Sequence, residues 1–456
     1  MKIIIVGAGT VGFSLAEYLS RQKYSVSVIE SDTALCRDIN AKLDVFTVNG
    51  HGSSLSALED AGIQEADMIV AATPNDETNL LACSFARQYG VAKRIARIKS
   101  GEYTKDGLAV SLEQIGVTHV VEPEKEVVRN ILQYIELPGV TESANFQSDN
   151  VYLRGYRIKP EMPLHDKTLS EVTQLAGPAP MLIVVIIRDG KSILPSGEQR
   201  LLAGDEIVAI MPRESFPTFR ALLGHTAEKL GKVVLSGDTL TAIHLAGALK
   251  PLVERVVLLD PSEEHGRTAA AQLEGVEVLF GDSTDSDILE EVHIETAGFF
   301  IAAGKDTEDN VMSCLLAKAE GASEVVAINN SDRHAGLFHS LGLDHIINPR
   351  KITAQAIISS VLRVPISAHL GLDKVNIAVT RFVAEKKSRI VNKPLHRLNG
   401  LFKKSIVIGA VMREDQVIIP RGDTVIREND EVIVLCHQDS SRLANRLFKA
   451  GPTITV

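Results

Sequence analysis

Three glycines and one glutamate near the start of the chain have the types and spacing to bind a phosphorylated ligand. Gly7-Ala8-Gly9-Thr10-Val11-Gly12 is a complete G-x-G-x-x-G, and Glu30 follows downstream. Gly7 suits a tight turn, Gly9 leaves the backbone bare where a pyrophosphate can approach, and Gly12 lets a helix pack close to a strand. The amides at such a helix start face the phosphates. A carboxylate at the position of Glu30 accepts hydrogen bonds from a ribose diol and repels a 2′-phosphate, which favours NAD over NADP. Glycines alone are a weak signal, because tight turns need them anyway; what counts is the context.

That context is present. Ile3-Ile4-Ile5-Val6 is a short β-branched run that reads as a buried parallel strand. Phe13, Ala16 and Leu19 then recur at helical spacing, and a second strand, Val26–Ile29, ends on Glu30. Strands and helices go on alternating. Further strands are expected near 45–48, 68–71, 94–98 and 119–121, and helices over 12–21, 32–42, 54–61, 79–89 and 105–115. This is the pattern of an α/β, doubly wound parallel sheet, whose ligands bind beyond the carboxyl ends of the strands. Thr73 and Pro74 follow the strand at 68–71 and fall in that zone; they fit a ligand contact or an ordinary proline turn capped by Asn75 or Asp76. Arg97 ends the next strand. It either extends to water or reaches the phosphates as a fork-shaped donor.

The chain of 456 residues is long enough for several domains. At 45% hydrophobic and 23% charged residues it can bury ordinary cores and is not a disordered chain. A net charge of −10, no lysine/arginine block and no tryptophan argue against a nucleic-acid surface. The longest apolar run, Met181–Ile187, is far too short to cross a bilayer, and the first strand leaves no room for a leader, so a soluble cytoplasmic protein is expected. Cys36, Cys83, Cys314 and Cys436 have neither zinc-site nor redox-pair spacing and read as buried small apolar residues. His51 reads as a polar loop residue, and no H-E-x-x-H occurs; no metal site is expected.

The sequence is written twice. Lys2–Gly7 is echoed by Lys232–Gly237, and Val26–Glu30 by Val256–Asp260, both at an offset of 230. Asp76-Glu77-Thr78-Asn79 is matched by Thr307-Glu308-Asp309-Asn310, and Cys83 by Cys314, at 231. Breaker residues at Leu137-Pro138-Gly139 lead into a different, strand-rich segment. This too recurs: Ile193–Glu198 matches Ile418–Asp423, and Gly204-Asp205-Glu206 matches Asn429-Asp430-Glu431, at 225. The layout is A–B–A–B, with units at 1–137, 138–223, 230–362 and 363–456 and linkers near 138–150, 224–231 and 363–375. The second A copy departs from the first. Gly237 and Asp260 persist, but Thr239 stands at the place of Gly9, Ala242 at that of Gly12, and Asp238 brings a negative charge to the loop. Nucleotide binding by that copy is therefore in doubt.

This pattern resembles the bacterial Trk potassium-uptake regulators, each A–B pair being similar to an RCK domain (regulator of potassium conductance). The resemblance covers essentially the whole chain and is carried by Gly50-His51-Gly52-Ser53, Asp76-Glu77-Thr78-Asn79, Ile95-Ala96-Arg97-Ile98 and the repeated B-unit frames. It implies tandem RCK N-domains, each followed by a small α+β C-domain, and a function in binding rather than catalysis. It also implies a cytoplasmic protein peripheral at the inner face of the cell membrane, a homo-oligomeric ring (four chains giving eight RCK units) under a potassium-translocating Trk membrane subunit, and NAD(H), in relatives also ATP or ADP, as ligand. By the resemblance the nucleotide site comprises Gly7, Ala8, Gly9, Thr10, Val11, Gly12, Glu30, Thr73, Pro74 and Arg97, joined by Glu124. Competing readings are a soluble NAD-dependent dehydrogenase, which would need a proton donor that the B units lack, and a regulator of a different cation or proton transporter.

Overall fold

The computed structural model describes residues 1–105, 110–137, 140–146, 150–225, 230–330, 338, 341–343, 345–361, 376–402, 405–414 and 416–449. Along the chain the strands are β1 (Lys2–Val6), β2 (Ser25–Glu30), β3 (Phe46–Asn49), β4 (Met68–Ala71), β5 (Lys93–Arg97) and β6 (His119–Val121). Then come β7 (Val140–Phe146), β8 (Val151–Arg157), β9 (Leu182–Arg188), β10 (Lys191–Ile193) and β11 (Glu206–Pro212). The second half gives β12 (Leu230–Ser236), β13 (Val253–Asp260), β14 (Glu277–Phe280), β15 (Ala297–Ala302), β16 (Glu324–Ile328), β17 (Ile346–Ile347), β18 (Ile377–Val383), β19 (Ile406–Arg413), β20 (Gln416–Ile418) and β21 (Glu431–His437).

These form four sheets in two compact units. One unit joins Met1–Ile135 to Lys229–Leu362; the other joins Glu136–Glu228 to Arg363–Val456. The copies alternate along the chain but pack like with like.

In the first unit, each A copy is a parallel sheet, ordered β3-β2-β1-β4-β5-β6 and β14-β13-β12-β15-β16-β17. The order turns back between β1 and β4, opening a crevice at the carboxyl ends of the strands. Helices cover both faces, which is why Ile3–Val6 is fully buried and shows no polar alternation. The two copies touch through the helix that leaves each sheet. Tyr134, on the helix Pro123–Glu136, donates from its hydroxyl to Glu324 at 3.2 Å and packs edge-on against Phe299. In return, the helix Pro349–Val361 lies against the helix Thr10–Arg21 of the first copy.

The second unit contains the antiparallel sheets β10-β9-β11-β8-β7 and β18-β21-β19-β20. Val151, Leu153, Val184, Val185, Val208 and Ile210 of one share a core with Ile377, Val379, Ala410, Met412, Ile433 and Leu435 of the other. The repeated aspartates have a structural task. Asp205 takes a bidentate fork from Arg188 at 2.7 and 2.6 Å, and Asp430 takes the same fork from Arg413 at 2.9 and 2.7 Å.

Some expected elements differ. Strand β7 lies inside the stretch read as a linker at 138–150, where its antiparallel pairing with β8 supplies the ladder that a short polar segment does not announce. The expected helix at 105–115 is a single turn, Leu112–Ile115, held by a capping box between Ser111 and Gln114; residues 106–109 lie outside the described ones. The helix expected from Asn79 starts at Asp76, because the Asn75 side chain caps it. All four cysteines are buried and free, and burial pushes the Cys83 and Cys314 thiols up to about 12. Among the described residues no helix is long and apolar enough to cross a membrane.

Candidate functional site

The loop from Gly7 to Gly12 turns between β1 and the helix Thr10–Arg21. Gly7 has φ +98°, a region L side chains avoid, and its amide donates to the Ile29 carbonyl at 2.8 Å. A Cβ at Gly12 would stand 1.9 Å from the Gly7 carbonyl oxygen, so only glycine lets this helix start so close to the turn. Gly9 differs: it is exposed, and a Cβ there would meet nothing within 4 Å. The protein leaves that space open. The helices starting at Thr33, Leu55 and Asp76 are capped by the side chains of Asp32, Ser54 and Asn75, but none caps the helix starting at Thr10. Its first amides lack partners within the helix and suit an anion. Ala8 and Val11 have buried side chains, so both can serve a ligand only through their backbone.

Glu30 sits at the carboxyl end of β2. Its Oε2 accepts from the Ala8 amide at 2.6 Å, and its Oε1 accepts from the Asp32 amide at 2.9 Å and the Ser31 hydroxyl at 3.1 Å. A carboxylate offers about four acceptor positions, so roughly one remains for a ribose hydroxyl. The same contacts fasten the acid to the glycine loop.

Thr73 closes the far side of the loop, 3.0 Å from where a Gly7 Cβ would be. It is held by Asn79, whose Oδ1 accepts from the Thr73 amide and hydroxyl at 3.0 and 2.7 Å. Asn79 Nδ2 in turn donates to the carbonyls of Thr73 and Arg97 at 3.0 and 2.8 Å, tying the ends of β4 and β5 together. Pro74 is exposed beyond this tie. Arg97 points back along it: Nη1 donates to the Thr73 carbonyl at 3.3 Å, while its buried Nε has no partner. Burial lowers the pKa of this guanidinium; Glu124 and Asp76 counter that, and the charge of Arg350 adds to it. Glu124 lies in the first turn of the helix Pro123–Glu136 and has a buried, unpartnered Oε2. With Lys99, Thr104, Lys125 and His244 it lines a cavity of 220 Å³. The structure thus gathers the loop, Glu30, Thr73 and Arg97 around one crevice, with Glu124 near Arg97.

The second copy has the same turn with different contents. Gly237 has φ +138°. Thr239 caps its helix by accepting from the Ala242 amide at 3.2 Å, and its hydroxyl donates to the Ala303 carbonyl at 2.6 Å. Asp238 is paired with Lys305 at 2.5 Å across the loop mouth. Asp260 is fully buried and bonded to the Ser262 amide at 2.9 Å and His265 Nδ1 at 2.5 Å. The helix start left uncapped in the first copy is here capped, and the acid at the strand end is fully buried.

Two residues escape the sequence reading of the site. Asn79 is visible in hindsight, since its match Asn310 makes the same tie, from the Gly304 amide and to the carbonyls of Gly304 and Ile328. Arg350 gives no local signal, because it reaches the loop from the other copy: its Nη1 donates to Thr10 Oγ1 at 3.1 Å. Among the described residues no cluster of histidine, cysteine, aspartate and glutamate could hold a metal ion.

Comparison with known proteins agrees with this architecture. The TrkA-N domain family matches residues 3–123 and 234–349, and the TrkA-C domain family matches 153–224 and 379–449. The chain is 31% identical to the Trk system potassium uptake protein TrkA of Azorhizobium caulinodans, over 99% of both chains. It is 29% identical to the TrkA of Vibrio alginolyticus, again over 99% of each. Among solved structures, the GsuK RCK domain superposes with a TM-score of 0.60 at 18% identity, covering 98% of this chain and 94% of that one. The GsuK channel bound to NAD gives the same score and identity over 98% and 78%. With both domain types matched twice in order and full-length relatives on either side, the chain belongs to the TrkA family of potassium-uptake proteins.

Proposed function

We propose that this chain is the cytoplasmic, nucleotide-binding regulatory subunit of a Trk-type potassium uptake system, peripheral at the inner face of the membrane. The observation that supports this best is the first glycine loop. It combines an open space at Gly9, an uncapped helix start, Glu30 fixed at the ribose position and an Arg97 Nε without a partner, within a chain of the TrkA family. These features fit a nucleotide with a pyrophosphate: NAD(H), as in the related fold of the NAD-bound GsuK channel, or ATP and ADP. In this reading Gly7 and Ala8 form the turn, the amides of the helix start up to Gly12 bind the phosphates, Glu30 orients the adenosine ribose, Thr73 and Pro74 border the ligand, and Arg97 neutralises phosphate charge. Glu124 sits beside Arg97 at the root of the helix that runs out of the first unit.

The protein acts by binding. Four chains assemble a ring, and the nucleotide biases its shape; the ring in turn works on a potassium-translocating membrane subunit. The free energy available is the difference in ligand affinity between two ring shapes. A 100-fold preference supplies ~2.7 kcal/mol per site, enough over several sites to switch a balanced gate. Particle mass in solution and potassium flux through the reconstituted membrane subunit, with and without NADH, ATP or ADP, test this. A tetramer and nucleotide-dependent flux are expected. A monomer at micromolar concentration, or flux indifferent to every adenine nucleotide, refutes the reading; coupling to a different cation transporter would redirect it.

A further inference from the structure

The two A copies exchange their outgoing helices, and the residues at the helix roots carry opposite charges. One helix opens Pro123-Glu124 and the other Pro349-Arg350. Arg350 belongs to the second copy but lies at the first copy's loop, with Nη1 on Thr10 Oγ1 at 3.1 Å. Thr10 is the first residue of the uncapped helix, where the amides await an anion. A guanidinium has five N–H donors, and only one is used in this contact. Among the described residues no carboxylate pairs with Arg350, although the chain holds 58 acids against 48 basic residues. At the reciprocal position Glu124, from the first copy, lines a cavity with Lys99, Lys105 and Lys125 and with His244, which lies on the helix Leu240–Leu249 behind the second copy's loop.

We infer that Arg350 is a phosphate-binding residue of the first nucleotide site, contributed by the second copy. This rests on the reading of the Gly7–Gly12 loop as a nucleotide site. The Thr10 hydroxyl anchors one edge of the guanidinium and leaves the rest of the fork free, the geometry that suits two oxygens of a pyrophosphate. Arg350 stands at the start of this helix, and its charge reaches Arg97. Burial and the charge of Arg350 disfavour the Arg97 guanidinium while Glu124 and Asp76 favour it, and a phosphate bound beside both arginines gains from each. The second loop is the reverse case. Asp238 pairs with Lys305 at its mouth, so that charge is engaged within the loop. The ligand class is therefore a nucleotide with two or more phosphates, and its binding ties the two copies together.

Calorimetric titration of NADH, ADP and adenosine into the full chain tests this, with wild type, Arg350→Ala, Arg350→Lys and, as a control on the same copy, the exposed Arg267→Ala. Loss of a charge-assisted contact predicts at least ~10-fold weaker NADH and ADP binding in Arg350→Ala. Arg350→Lys should fall between, because it keeps the charge and loses the fork. Arg267→Ala should match wild type, and adenosine should not distinguish any variant. If wild type binds NADH and Arg350→Ala binds it equally well, the inference is wrong and the site reading stands. An equal loss for adenosine would mean that Arg350 shapes the loop instead of holding phosphate, which also overturns it. Failure of wild type to bind NADH or ADP would overturn both the site reading and this inference.

Discussion

The loop glycines allow folding and binding to be perturbed separately. At Gly9 the backbone has φ −60° and ψ −176°, which any residue adopts, and an added methyl meets no protein atom within 4 Å. Gly9→Ala should therefore leave stability unchanged or raise it by up to ~1 kcal/mol, through the smaller entropy of the unfolded chain. The methyl would instead occupy the space where a pyrophosphate approaches. Overpacking costs of about 1–3 kcal/mol then translate into an affinity loss of roughly 5- to 150-fold. Gly12→Ala should behave in the opposite way. Its methyl would sit 1.9 Å from the Gly7 carbonyl oxygen, against ordinary contact beginning at 3.4 Å, so the turn or the helix must shift by more than an ångström. That variant should lose about 2 kcal/mol or more of stability whether or not ligand is present. Urea unfolding and NADH calorimetry on the two variants give the crossed pattern. If Gly9→Ala binds NADH with wild-type affinity, no phosphate approaches that point and the assignment of the loop fails.

Two further outcomes follow from the described contacts. Because Thr239, Asp238 and Asp260 are engaged by Ala303, Lys305 and His265, NADH should titrate the full chain with about one site per chain; two sites of equal affinity would refute the closed second loop. His225 has its pKa lowered by burial and by the nearby Arg220 and Lys159, and its Nε2 meets the Tyr156 hydroxyl at 2.8 Å. The folded state thus binds this proton less readily than the unfolded chain, so stability is complete above the ordinary histidine value of 6.5 and falls as pH drops below it. Thermal unfolding of wild type and His225→Asn between pH 7.5 and 5.5 checks this: the variant should lose less on acidification, and parallel curves would refute the assignment.

Much of this was legible in the sequence because it is local or repeated. β1, the glycine loop, the following helix and Glu30 are contiguous, and their period and spacing encode the turn and the strand end directly. The internal repeat made both parallel sheets readable from one. Glu30 was placed correctly but its duties were not: the sequence cannot show that Ala8, Ser31 and Asp32 already use most of its acceptor positions. β7 was missed because its ladder comes from β8, beyond any local pattern. Arg350 was missed for the same reason on a larger scale, its partner Thr10 lying 340 positions away.

The interleaving of the two units also bears on how the chain is made. The sheet face formed by Val151, Leu153, Val184, Val185, Val208 and Ile210 is covered by residues from Ile377 onward. Synthesis runs from the first residue, at about 5–20 residues per second, so this apolar face leaves the ribosome roughly ten seconds or more before its cover exists. The first A copy likewise waits for the helix Pro349–Val361. A nascent chain with an exposed strand face is a substrate for chaperones and for wrong pairing with a neighbouring chain on the same message. The last eighty residues therefore decide whether the middle of the protein stays soluble, and a premature stop shortly before Ile377 should be more damaging to the cell than the loss of one small domain suggests.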